Sequence, residues 1–445
     1  MTMRPLMIAV VLAAMFVAAP ADARAKEDDT IKSLEDKTVD VRPGKVIVQS
    51  SELARQSYRD FLDLVSDDPE LRAEAMRRLG DLELEATEAD QLTENIDALD
   101  AGGFNSAVDL YQRLLEAYPD YRRNDTVLYQ LARAYETGGR TDEALAALNE
   151  LIARYPDTAI LDEVQFRRGE MLFLRKQYND AELAYQDVVK AGDSLRFYEQ
   201  ALYKLGWSQF KLAWYEDSLD PFFALLDIKL AGVEIGEGEE RLGSLKRAER
   251  ELVEDTFRVL SISFSYIQGA ESIAEYLSRR AATSYAYIIY GNLGDLYLEQ
   301  ERYQDAAETY EAFVDEDPYH PKAPALQVRA IEAYKQGGFP SLVLDGKKDF
   351  VETYGMDGPF WERNPRAENE AVAEHLKTNL NDLAQYYHAK AQDEGEKSDY
   401  REAANWYRKY LAYFPGESDT AATNFLLAEI LFESEDYGAA TAEYE

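Results

Sequence analysis

The 445-residue chain contains no cysteine. That removes disulfides, thiol catalysis and thiolate metal sites together. Basic residues are scarce, with 48 Lys and Arg against 85 Asp and Glu and a formal net charge of −37. Such a chain can neutralise a polyanion only through a local basic patch, and it has no cluster of Lys and Arg with interleaved aromatics. Nucleic acid is therefore not expected as a partner, and adhesion to an anionic membrane surface is disfavoured for the same reason. The charge favours solubility and steers basic partners.

Long apolar runs are missing, with one exception. Leu6 to Ala19 (LMIAVVLAAMFVAA) is apolar but shorter than the ~20 residues of a membrane span. Arg4 precedes it, and Ala21-Asp22-Ala23, with Ala23-Arg24-Ala25 close behind, offers a small-residue cleavage site. Residues 1–23 are expected to form a cleaved secretory signal peptide. The mature protein is then expected to be soluble and periplasmic. With no cysteine after the apolar run, no lipid anchor is expected.

Catalytic signatures are equally sparse. The three histidines are His320, His375 and His388. His320 sits in a loop, DPYHPKAPA. His375 and His388 fall on one expected helix, but their separation turns it by about 220°, so they share no face. No H-E-x-x-H, G-x-S-x-G or G-x-x-x-x-G-K-[ST] pattern occurs. Glycine pairs at 102–103, 138–139 and 337–338 suit turns between helices. Acidic runs such as Asp315-Glu316-Asp317 suit a solvated surface. No catalytic residue, cofactor or metal site is expected.

What the chain does have is self-similarity. FNSAVDLYQRLLEAYPD, YQDAAETYEAFVDEDP and YREAANWYRKYLAYFP share one pattern of aromatic, alanine, tyrosine and closing proline. The anchor positions Ala107, Ala144, Ala181 and Ser218 stand 37 residues apart, as do Ala306 and Val343, and Ala403 and Ala440. An alanine followed by apolar residues at +4, +7 and +8, as in Ala144, Leu148, Leu151 and Ile152, makes one stripe of a helix. Proline at 119, 156, 318 and 415 ends that helix. A preceding helix carries its own small residue, in Leu131-Ala132, Leu205-Gly206 and Leu293-Gly294. A pair of amphipathic helices cannot bury its apolar face alone, but stacked pairs bury a continuous core.

This pattern resembles the tetratricopeptide repeat, and the stretch YIIYGNLGDLYLEQERYQDAAETYEAFVDEDP from Tyr287 matches it nearly throughout. The 37-residue spacing is similar to that of bacterial envelope repeats, such as outer-membrane assembly lipoproteins of the BamD type and division coordinators of the CpoB type. GGFPSLVLDGKKDFVETYG at 337–355 also looks like envelope repeat proteins. The resemblance implies an all-α, right-handed α-solenoid with irregular inserts.

The organisation follows from the spacing. After the signal, residues 24–49 are expected as a flexible leader and 50–231 as an N-terminal repeat array. Residues 232–250, with GVEIGEGEERLG, form an acidic linker. A central block spans 251–355, a loop 356–369 and a C-terminal block 370–445. Glu445 comes five residues after Ala440, where other second helices continue further, so the last helix is expected to be truncated.

The resemblance also implies a groove lined by the first helix of each unit. Carried over, it places Tyr129, Arg133 and Glu136, then Phe166, Glu170 and Phe173, then Tyr203, Trp207 and Phe210 along that face. Aromatics with a few charges suit a peptide or helix of a partner. The expected function is a periplasmic scaffold joining other envelope proteins in outer-membrane biogenesis, division, energised transport or motility. The alternative is a regulatory or targeting arm of an enzyme whose catalytic domain lies beyond residue 445.

Overall fold

The computed structural model describes residues 48–64, 68–92, 101–233, 235, 242–280 and 283–445. The expected signal peptide, nearly all of the leader and the glycine-rich centre of the acidic linker lie outside them. Twenty α-helices and no strand occur among the described residues. In chain order they are α1 (Val48–Leu64), α2 (Pro69–Leu92), α3 (Ala101–Ala117), α4 (Asn124–Thr137), α5 (Thr141–Arg154), α6 (Leu161–Leu174) and α7 (Tyr178–Ala191). There follow α8 (Tyr198–Lys211), α9 (Tyr215–Leu230), α10 (Arg247–Tyr266), α11 (Ala270–Ser278), α12 (Ala286–Glu299) and α13 (Tyr303–Glu316). The last are α14 (Ala323–Gln336), α15 (Pro340–Thr353), α16 (Pro359–Arg363), α17 (Glu370–Glu394), α18 (Lys397–Tyr413), α19 (Thr420–Glu433) and α20 (Tyr437–Tyr444). Helices pack mainly on their neighbours in sequence, which makes the molecule an all-α solenoid of hairpins. None is long and apolar enough to cross a membrane.

Six hairpins share one turn. The first helix closes through a left-handed residue at Gly139, Lys176, Ala213, Glu301, Gly338 or Glu435. The next backbone N–H then reaches back five residues, as in Arg140 to the Tyr135 carbonyl (2.7 Å) and Trp214 to that of Gln209 (2.9 Å). This satisfies a carbonyl that the helix end leaves orphaned, and glycine suits it best because it carries no Cβ.

Within most hairpins a small residue on the first helix faces a large one on the second, usually 16 positions later. A Cβ added to Gly169 would lie 2.6 Å from a ring carbon of Tyr185. The corresponding distances are 2.8 Å for Gly206 on Phe222 and 2.7 Å for Gly80 on Tyr111. Where the first helix carries Ala132, the same register holds the smaller Leu148, both buried. In α14–α15 the sizes are reversed: Ile331 stands on the first helix, and a Cβ on Gly346 would meet it at 3.0 Å. The buried apolar residues fall into four clusters, spanning 73–171, 172–205, 219–334 and 331–440.

The inserts are more ordered than their composition suggests. Residues 356–369, expected as a loop, contain α16 and a 3₁₀ turn at Arg366–Glu368. Phe360 is fully buried there. Trp361 donates to the Tyr354 carbonyl (2.8 Å), and Asn364 donates to that of Tyr319 (3.0 Å). An aromatic anchor and paired amides give this segment a fixed place that periodicity could not reveal. Likewise α10 begins at Arg247, inside the span expected as linker, and Leu242 is buried ahead of it.

Candidate protein-binding face

The first helices present successive residues to one face, and the nine expected groove residues fall along α4, α6 and α8. Most of them already have partners. Tyr129 is only 7% exposed. Its hydroxyl donates to Glu163 and accepts from Arg167 Nε at 2.6 Å. Arg133 pairs with Glu88 across 2.6 Å, and Glu136 with Arg167 at 3.4 Å. Phe166 stacks on Phe197 with centroids 4.9 Å apart.

Glu170 accepts from the Tyr185 hydroxyl (2.5 Å) and pairs with Lys204 (3.0 Å). The arrangement recurs. Tyr111 donates to Asp81 and Tyr310 to Asp295, each at 2.9 Å. In each case the carboxylate follows the small residue of the first helix. Where the second helix carries Leu148 or Phe222, which have no hydroxyl, that next residue is Arg133 or Trp207 instead. In the three hairpins with a tyrosine the position serves the hairpin itself rather than the groove.

Phe173 and Phe210 close the turn of their hairpins. Phe173 meets Tyr178 edge-on at 5.2 Å and 68°, and Phe210 meets Tyr215 at 5.5 Å and 65°. Tyr203 donates to Asp255 of α10 (2.6 Å), and burial with that carboxylate raises its pKa. Trp207 lies 6.3 Å from Tyr203 and 5.4 Å from Phe210, so these three form one continuous aromatic strip. Each part of the longer row also carries a cation of the chain itself. Arg167 lies over Tyr129 (5.6 Å), Lys204 over Phe173 (5.2 Å) and Lys211 over Trp207 (5.4 Å).

Further along the same face the surface opens. A cleft of about 250 Å³ lies between α10 and α12, lined by Arg258 and Ile262 on one side and Asn292, Asp295 and Leu296 on the other. Asn292 also lines a second cleft of about 420 Å³, with Gly291 of α12, Ala325 and Arg329 of α14, and Val372 and His375 of α17. These two clefts adjoin at Asn292 and carry the first-helix face from α10 to α17. Sequence reasoning passed over Gly291 and Ala325. The available signal was a second glycine, three residues before the packing glycine Gly294, where a groove position falls.

No group of three His, Asp or Glu side chains among the described residues could hold a metal ion. His388 hydrogen-bonds the Tyr407 hydroxyl at 3.1 Å, and burial lowers its pKa. His320 packs on Phe313 with centroids 5.2 Å apart. Both rings have structural surroundings.

Comparison with known proteins bears on the hairpins themselves. A tetratricopeptide-repeat family model matches residues 98–165, and a second matches 268–321 and 388–445. A search of curated protein sequences found no match. Similar solved structures include a tetratricopeptide repeat protein from Parabacteroides merdae, 18% identical, covering 67% of this chain and 99% of that one with a TM-score of 0.28. Another is PilF of Pseudomonas aeruginosa, 13% identical, covering 68% and 99% with a TM-score of 0.27. A third is the C-terminal part of a repeat protein from Cytophaga hutchinsonii, 13% identical, covering 78% and 98% with a TM-score of 0.26. Scores this low measure little common overall shape, so the assignment rests on the matched repeats and on the hairpin geometry they share with the rest of the solenoid. On those grounds the chain carries tetratricopeptide repeats at residues 98–165, 268–321 and 388–445.

Proposed function

We propose that this protein is a non-catalytic scaffold of the cell envelope, exported to the periplasm, which holds other envelope proteins through the face of its first helices. The observation that carries the binding role is the pair of clefts that adjoin at Asn292 and run from Arg258 to His375. An elongated, repeated surface of that kind suits an extended or helical segment of a partner. Support for the location is the apolar run at Leu6–Ala19 with its small-residue cleavage site.

The test is photo-crosslinking in cells from a crosslinker placed at Ala325, with mass spectrometry of the captured segments. Exported partners crosslinked at this position are the expected result. Recovery of cytoplasmic proteins alone overturns the location. Absence of any crosslink at Ala325, with capture from a second-helix position instead, overturns the assignment of the face.

A further inference from the structure

The aromatic strip does not stop at Phe210. Its ring meets Tyr215, the first residue of α9, and Tyr215 in turn stacks on Tyr266, the last residue of α10, with centroids 4.6 Å apart and planes 13° from parallel. The ladder therefore runs from α8 across the hairpin turn to α10. Its outer end is open: Tyr266 is 61% exposed, and Trp214, beside Tyr215, is 43% exposed.

Two observations indicate the charge of what covers it. Lys211 Nζ stands 5.4 Å from the Trp207 ring centre and 6.0 Å from that of Phe210, so a cation already sits on this aromatic surface. It does so without a carboxylate at ion-pair distance among the described residues. Glu216 and Asp217 directly follow Tyr215, are exposed, and likewise have no cation at ion-pair distance among the described residues. Their place in the first turn stabilises α9 but leaves their charge unneutralised, in a chain whose net charge is −37. Ring faces attract cations through their quadrupole, and unneutralised carboxylates beside them select the same sign.

We propose that the ladder from Trp207 to Tyr266 docks a basic segment of a partner protein, with Lys or Arg side chains over the rings and within reach of Glu216 and Asp217. The inference rests on the scaffold reading and names the chemistry of the segment bound. Lys211 marks one seat of the kind such a segment would use.

The probe is a fluorescein-labelled peptide of three Lys-Ser-Arg-Ala repeats, with three Glu-Ser-Asp-Ala repeats as its acidic counterpart, read by anisotropy at about 0.15 M salt, where long-range attraction is screened. The basic peptide is expected to bind and the acidic one not. Trp214→Ala with Tyr266→Ala should weaken binding about tenfold, and Glu216→Lys with Asp217→Lys by at least as much. Asp349→Lys with Glu352→Lys, the same change of net charge placed on α15, should leave it within about twofold. Circular dichroism confirms the fold of each variant. Equal weakening by the α15 pair, unchanged binding in the aromatic pair, or no binding of the basic peptide each overturns the proposal. Crosslinks from Ala325 that persist in that event leave the scaffold reading standing.

Discussion

Gly169 shows how much one absent carbon controls. The ring of Tyr185 occupies the space where a Cβ would stand, only 2.6 Å from its nearest carbon. Gly169→Ala is expected to cost about 1–3 kcal/mol, the usual penalty for overpacking a filled core, measured by chemical denaturation. Combining it with Tyr185→Leu should recover part of that loss, because Ala132 with Leu148 is the same lock in another size. Zero coupling in the double-mutant cycle would show that the two positions do not sense each other. The turn residues allow a cleaner backbone test. Gly139 has φ of +74° and nothing within 4 Å of an added Cβ, so Gly139→Ala should lose about 1 kcal/mol through conformation alone. Ala213, at the equivalent turn with φ of +59°, should gain a similar amount from Ala213→Gly, because the relief of left-handed strain and the looser unfolded chain enter with reversed sign.

At the scale of elements, α13 and α15 stand out for carrying acid close together. Burial raises the Glu311 pKa, and Asp315, Asp349 and Glu308 push it the same way. Asp349 is raised by burial and then by Glu352, Asp345 and Asp315, with only Lys348 opposing among the causes. A carboxyl with a raised folded-state pKa holds its proton more tightly when folded. Its stabilising contribution is full below the unfolded value of about 4 and is lost as pH rises through the folded value. Asp349→Asn should therefore raise the melting temperature at pH 7 by about 1–2 °C, and the gain should vanish near pH 3. A gain independent of pH would show that repulsion is not the cause.

The hairpins were legible in the sequence because small residues, aromatics and closing prolines recur at fixed intervals within each unit. The fate of the groove residues was not. Arg133 is neutralised by Glu88, and Tyr203 donates to Asp255, partners 45 and 52 residues away. Those pairings depend on how units stack, which the repeat pattern does not encode. The α16 insert has no period to read, only an anchor, Phe360.

The whole molecule is a long, strongly acidic solenoid. Many of its ion pairs are exposed, such as Arg247 with Glu251 and Lys397 with Glu435, and pairs of that kind contribute little. Self-repulsion should then dominate its response to salt. Raising sodium chloride from about 0.01 to 0.15 M, which shortens the screening length from roughly 30 to 8 Å, is expected to increase the melting temperature. A decrease would mean that the ion pairs outweigh the repulsion.

The lock between small and large residues has a consequence for descent. Both halves of it lie within one hairpin, so a copied hairpin brings its own fit and needs no compensating change elsewhere in the chain. Gene duplication can lengthen or shorten such an array one cassette at a time. The hairpin of α14 and α15 is the exception. Lys347 stands where Tyr185 or Phe222 stands elsewhere and pairs with Asp382 of α17. That unit is bound to its successor and would be inherited with it as a pair.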